Sequence, residues 1–124
     1  MKVAVILLTY GERPKDILHD NVLRSGHHNM KHFEVNIEGI SNALNDGIDI
    51  MKEGNFDAVA FLANDITEPD NWLKDKIFAL QTYPNAGVVS SSLDCARNHI
   101  QSELIISNYL ISKECIEKVG YFNE

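Results

Sequence analysis

The sequence predicts one α/β domain, a three-layer α/β/α arrangement around a mostly parallel sheet, and three observations carry that expectation. Two continuous apolar runs, Val3–Leu8 and Ala58–Ala63, have the length and unbroken hydrophobicity of strands covered on both faces. Elsewhere apolar residues recur at helical spacing, as in Ile40, Ala43, Leu44, Gly47, Ile48 and Met51. Strands that alternate with helices join most simply as parallel neighbours, with crossover helices on both sides. At 124 residues the chain has room for one ordinary core and not two, so residues 1–124 are read as a single domain.

Each element has a local reason. Val3–Leu8 opens the chain as a strand. Pro14 suits a first helical turn, Ile17, Leu18 and Val22 follow at helical spacing, and Gly26 is a natural stop. The polar stretch Gly26 to Lys31 reads as a loop. His32–Ile37 reads as a short strand, with Phe33, Val35 and Ile37 alternating. Ser41 is placed to cap the helix that begins near Ile40, and Gly54 ends it. After Ala58–Ala63, Pro69-Asp70 opens a third helix with Trp72, Leu73, Ile77 and Leu80 inward, closed before Pro84. Ala86–Ser90 and Glu103–Ser107 read as further strands, with Asp94–Gln101 as the loop between them. Ser112 caps a last short helix that runs to Val119, and Gly120 stands past its end.

Composition narrows the function. Hydrophobic residues are 44% and charged residues 23%, the balance of a folded globular chain. With 11 basic and 18 acidic residues the net charge is −7, which argues against a nucleic-acid binder, since that needs a basic face. A phosphate-bearing ligand would need a helix N-terminus or a bound cation to offset this field. No apolar run approaches the roughly 20 residues of a membrane span, so an integral membrane protein is not expected. Lys2 with Val3–Leu8 mimics a signal peptide, yet Thr9-Tyr10-Gly11-Glu12 is not a small-residue cleavage site, and the expected location is cytoplasmic. Cys95 and Cys115 lack a CxxC spacing and read as free thiols in a reducing compartment.

Ligands of open α/β sheets bind beyond the carboxyl ends of the strands. Two polar clusters fall there: Thr9-Tyr10-Gly11-Glu12-Arg13 after the first strand, and Asn64-Asp65 after Ala58–Ala63. A strand-end carboxylate suits Mg²⁺ or Mn²⁺, a hard cation that keeps several waters and takes other ligands from substrate phosphates. A nucleotide-diphosphate donor needs such a cation to neutralise its leaving diphosphate. An Asn-Asp pair is equally the ordinary chemistry of a turn. Arg13 reads as a phosphate contact or as a surface ion-pair partner of small weight. His27, His28 and His32 sit in or beside a polar stretch and are expected to be solvated rather than metal ligands. Trp72 is expected in the core, and Ser90-Ser91-Ser92 lacks the Gly-x-Ser-x-Gly elbow of a nucleophile.

The order of motifs resembles the inverting family 2 glycosyltransferases. Val3-Ala4-Val5-Ile6-Leu7-Leu8-Thr9-Tyr10 is similar to their opening strand, which ends in Thr-Tyr-Asn. Gly39-Ile40-Ser41-Asn42-Ala43-Leu44-Asn45-Asp46-Gly47-Ile48 resembles their Gly-x-x-x-Ala-x-Asn-x-Gly-Ile helix. Phe61-Leu62-Ala63-Asn64-Asp65-Ile66 with Trp72-Leu73 is similar to their Leu-Leu-Asn-Asn-Asp segment and the Trp-Leu beyond it. Pro84-Asn85-Ala86-Gly87-Val88-Val89, Leu110-Ile111-Ser112-Lys113 and Val119-Gly120-Tyr121-Phe122-Asn123-Glu124 resemble later pieces in the same order.

That resemblance implies a minimal version of the GT-A fold, the nucleotide-diphospho-sugar transferase form of a Rossmann-like sheet. It implies Asp65 as the Mg²⁺ or Mn²⁺ ligand with Asn64 beside it, and Thr9, Tyr10 and Glu12 lining the nucleotide pocket. Asn45 would lie near the diphosphate or support the loop that does. The partners implied are a nucleotide-diphosphate sugar and an acceptor of unspecified class.

The departures are specific. Between the first helix and Gly39 there are too few residues for the family's second strand ending in Asp-x-x-Ser, its loop and another helix, although Glu34 or Glu38 would be available as substitutes. Leu44 stands where the family often carries Arg. The family's catalytic base belongs to an acceptor-side segment beyond Glu124, leaving Asp94, in a polar loop with Arg97 and His99, as the nearest substitute carboxylate. Three readings therefore stand: an inverting, hexosyltransferase-type enzyme whose acceptor side is supplied elsewhere; a non-catalytic GT-A-like binding or assembly module; or another small Rossmann-like enzyme such as a nucleotidyltransferase, for which Thr9-Tyr10-Gly11-Glu12 is a poor phosphate loop. An exposed apolar sheet edge is expected, and with it self-association as a homodimer.

Overall fold

The computed structural model describes residues 1–9, 16–36, 40–63, 67–83, 87–90 and 108–120. Along these the order is β1 (Val3–Thr9), α1 (Asp16–Leu23), β2 (Met30–Asn36), α2 (Ile40–Glu53) and β3 (Ala58–Leu62). Then come α3 (Trp72–Thr82), β4 (Val88–Ser90), β5 (Asn108–Ser112) and α4 (Lys113–Val119). The strands form one sheet in the order β2-β1-β3-β5-β4. β1 pairs in parallel with β2 and β3, whereas β5 is antiparallel to both β3 and β4. Four strands thus share one direction and β5 runs against them, a mixed and mostly parallel sheet.

β1 and β3 are buried at every position because helices cover both sheet faces. On one face Ala4, Ile6, Leu8, Val59 and Phe61 pack with Ala43, Leu44, Ile48 and Met51 of α2 and Ile116 of α4. On the other Val3, Val5, Leu7, Ala58, Ala60 and Leu62 pack with Leu18 of α1 and Trp72, Leu73, Ile77 and Leu80 of α3. Each Val, Leu, Ile, Phe or Met side chain among them contributes roughly 1.5–3 kcal/mol on full burial. The strand period of two divides these residues between the layers, which yields the expected three-layer arrangement.

Helix ends explain where the elements stop. Ser112 caps α4 as expected: its Oγ accepts from the Cys115 N–H at 3.1 Å. Gly120, at φ 82, closes α4 by donating its N–H to the Ile116 carbonyl at 2.8 Å. α3 begins at Trp72, later than Pro69-Asp70 suggests, because its cap is tertiary. The Ser25 carbonyl accepts the N–H groups of Leu73 and Lys74, both at 3.1 Å, and Asn71 enters the helix at φ 65. Gly26, at φ 70, packs so closely on Asn71 that a side chain there would overlap it.

Three local readings are corrected. In α1 the inward face carries Leu18 and Asn21, both fully buried, while Ile17 is on the surface. Asn21 turns inward because its side chain accepts a backbone hydrogen bond there from the α3 side, which periodicity of apolar residues does not register. A strand at Asn108–Ser112 was not expected; Tyr109, Leu110 and Ile111 are buried between β3 and β4, and the strand expected at Glu103–Ser107 lies outside the described residues. The strand expected at His32–Ile37 runs instead over Met30–Asn36, paired along the whole of β1, and α2 follows at Ile40.

Candidate functional site

The strand order creates one topological switch. From β1 the chain crosses through α1 to β2 on one side, then returns through α2 on the opposite sheet face to β3 on the other side. α1 and α3, the helices that follow β1 and β3, pack on the same sheet face. In the register of β1 with β3, Leu7 lies opposite Leu62, so Thr9 and Asn64 each come two residues past a directly paired position. The two polar clusters picked out above, at 9–13 and 64–65, thus leave adjacent parallel strands.

The expected site residues fall as follows. Thr9 ends β1, buried, and its hydroxyl donates to the Val35 carbonyl of β2 at 3.3 Å. Asn45 is half-buried on α2. Leu44 beside it is a core residue, so its side chain is committed to the sheet and not to a ligand. Tyr10, Glu12, Arg13, Asn64, Asp65, Asp94, Arg97 and His99 lie outside the described residues. Among the described residues, no three His, Cys, Asp or Glu side chains come together in a way that could hold a metal ion.

Around the mouth of β3 the structure assembles polar residues that sequence reading did not single out. Glu68 and Lys76 form a buried ion pair, Nζ to Oε1 at 3.5 Å, with side chains 2% and 8% exposed. Asn108, buried at the start of β5, donates from Nδ2 to the same Glu68 Oε1 at 2.6 Å. Its Oδ1 accepts the Ala63 N–H at 3.0 Å. The Glu68 N–H donates to Asn21 Oδ1 at 2.8 Å, and the Glu68 carbonyl accepts from Arg24 Nη1 at 3.3 Å. Trp72, in the core as expected, donates its indole N–H to the Asn21 carbonyl at 2.6 Å. Burial pulls the Lys76 ammonium below its ordinary 10.5, with Glu68 opposing that shift by charge and hydrogen bond. The usable signal was Lys76 itself, a lysine on the apolar stripe of Trp72, Leu73, Ile77 and Leu80.

The remaining candidates have structural neighbours. His27 Nε2 lies 2.7 Å from the Met1 carbonyl, and His28 and His32 are exposed. His19 on α1 approaches Glu34 of β2 at 3.5 Å, on the surface. Cys115 is a free, half-buried thiol packed against Gly87, and Cys95 lies outside the described residues. Among the described residues no helix is long and apolar enough to cross a membrane.

These features define a mixed α/β domain, a five-stranded, mostly parallel sheet with helices on both faces. The architecture is similar to that in the crystal structure of A197 from STIV, with a TM-score of 0.61 at 16% sequence identity, over 96% of this chain and 69% of that one. At that identity the likeness concerns the fold alone. No family model and no curated protein matches the chain.

Proposed function

We propose that this chain is a glycosyltransferase-like domain of GT-A type that binds a nucleotide-diphosphate sugar through Mg²⁺ or Mn²⁺ at Asp65. One observation supports the reading: β1 and β3, which end at Thr9 and just before Ala63, are parallel neighbours, so the segments after Thr9 and Ala63 start from the same end of the sheet. These are the same segments whose residues resemble the donor-binding motifs of family 2 glycosyltransferases. A single carboxylate with waters and diphosphate oxygens is an adequate donor set for such a cation. The bound cation would neutralise charge on the departing diphosphate. Asn64, Tyr10 and Glu12 would orient the donor, with Thr9 holding the end of β1 to β2. Transfer with inversion also needs a carboxylate to take the acceptor's proton, and Asp94 is the candidate within this chain.

Titration of uridine and guanosine diphosphates with and without Mn²⁺ tests the reading. Metal-dependent binding in the native protein, lost in Asp65→Ala, is the expected result. Binding that ignores both the metal and the substitution would sink it.

A second reading, a non-catalytic binding module of the same fold, draws on the direct passage from β2 to α2. Only residues 37–39 separate Asn36 from Ile40, leaving no room for the family's additional nucleoside-side helix. Incubation with a panel of nucleotide sugars separates the two, since metal-dependent hydrolysis or transfer excludes an inert module.

A further inference from the structure

The buried pair Glu68–Lys76 needs a reason beyond packing. An ion pair withdrawn from water costs desolvation that its attraction repays only when further hydrogen bonds complete it, and apolar side chains often serve stability as well. Here the bonds converge on backbone. Asn108 links the Glu68 carboxylate to the Ala63 N–H, at 2.6 and 3.0 Å. Glu68 is itself tied through its own N–H to Asn21 and through its carbonyl to Arg24. Lys76 holds the Glu68 carboxylate from α3, with its ammonium 5.4 Å from the centre of the Trp72 ring. The chain therefore enters and leaves residues 64–67 through two positions, Ala63 and Glu68, bonded to one buried hub.

We infer that Glu68, Lys76 and Asn108 act as positioning residues: the hub holds Ala63 and Glu68, on either side of Asp65 in the chain, to β5 and α3. The claim rests on the proposed donor-binding role for what Asp65 grips, but not for the anchoring itself. A simple packing role for the ion pair would spread its effect over α3 and β5. An anchoring role concentrates it at Ala63 and Glu68.

Two variants of the full chain test this. Asn108→Leu cuts the link from the hub to Ala63. The double variant Glu68→Gln with Lys76→Met removes both charges together, so neither is left buried alone and the fold is retained. Amide hydrogen exchange at Ala63 is expected to quicken by about tenfold or more in Asn108→Leu, which removes its acceptor, and by less in the double variant, with Ile6 and Val59 unchanged. The affinity for Mn²⁺ with uridine diphosphate is expected to weaken about 10–100-fold, as when outer-shell support of a metal ligand is lost, while metal-free binding is unmoved. Exchange that is unchanged, or raised evenly across the sheet, overturns the inference. If the native protein shows no metal-dependent binding at all, the donor-site reading fails, and the exchange measurements still decide the anchoring.

Discussion

Gly47 of α2 lies flat against the ring of Phe61 in β3: a Cβ at this position would stand 2.5 Å from Phe61 Cε1 and 3.0 Å from Ile6 Cγ1. The helix sits on the sheet at a distance that only hydrogen at this position allows. Both neighbours are fully buried and belong to central strands, and Phe61 is further held against Tyr109, ring centres 5.4 Å apart. Little can move to make room.

Gly47→Ala is therefore expected to destabilise the domain even though alanine favours helix. Overpacking costs about 1–3 kcal/mol, and replacing a mid-helix glycine returns about 1 kcal/mol. Urea titration should show a lower midpoint with an unchanged slope. A midpoint at or above that of the native protein would show that α2 has slack against the sheet.

Breaking the buried pair from one side should cost far more than removing it whole. Lys76→Met leaves the Glu68 carboxylate buried without its ammonium, and about 3–5 kcal/mol of stability should be lost. The double variant with Glu68→Gln should unfold within about 1–2 kcal/mol of the native protein. Equal losses in the two variants would mean that Glu68 reaches solvent, contrary to its 2% exposure.

Alkaline stability should turn over because two buried groups act in opposite directions. Burial raises the Tyr109 phenol above its ordinary 10.0, so the unfolded chain releases this proton first and stability falls as pH rises above 10.0. Burial lowers Lys76 below 10.5, so the folded state gives up that proton first and stability rises as pH climbs towards 10.5. Urea midpoints measured from about pH 8 to about pH 11 should show the late fall shrink in Tyr109→Phe. A fall of unchanged size in that variant would assign the loss to other groups.

Much of the fold was legible in the sequence because its signals are local. β1 and β3 announce themselves as unbroken apolar runs, α2 through its helical spacing, and α4 through Ser112 at one end and Gly120 at the other. The motif order also directed attention to the segments after Thr9 and Ala63. Strand order is a different matter. That β1 and β3 are neighbours, and that β5 is inserted in reverse between β3 and β4, depends on pairings between residues far apart in the chain.

The same division holds at the site. Composition and pattern determined that a carboxylate follows a buried strand. Only the tertiary structure decided that Lys76 meets Glu68, that Asn21 turns inward, and that Asn108 reaches the Ala63 N–H across 45 positions. The reason is physical: an apolar side chain needs only to leave water, which periodicity records, whereas a buried polar group needs a particular partner at a particular distance. That partner is chosen by the packing of α1, α3 and β5, and no local pattern encodes it.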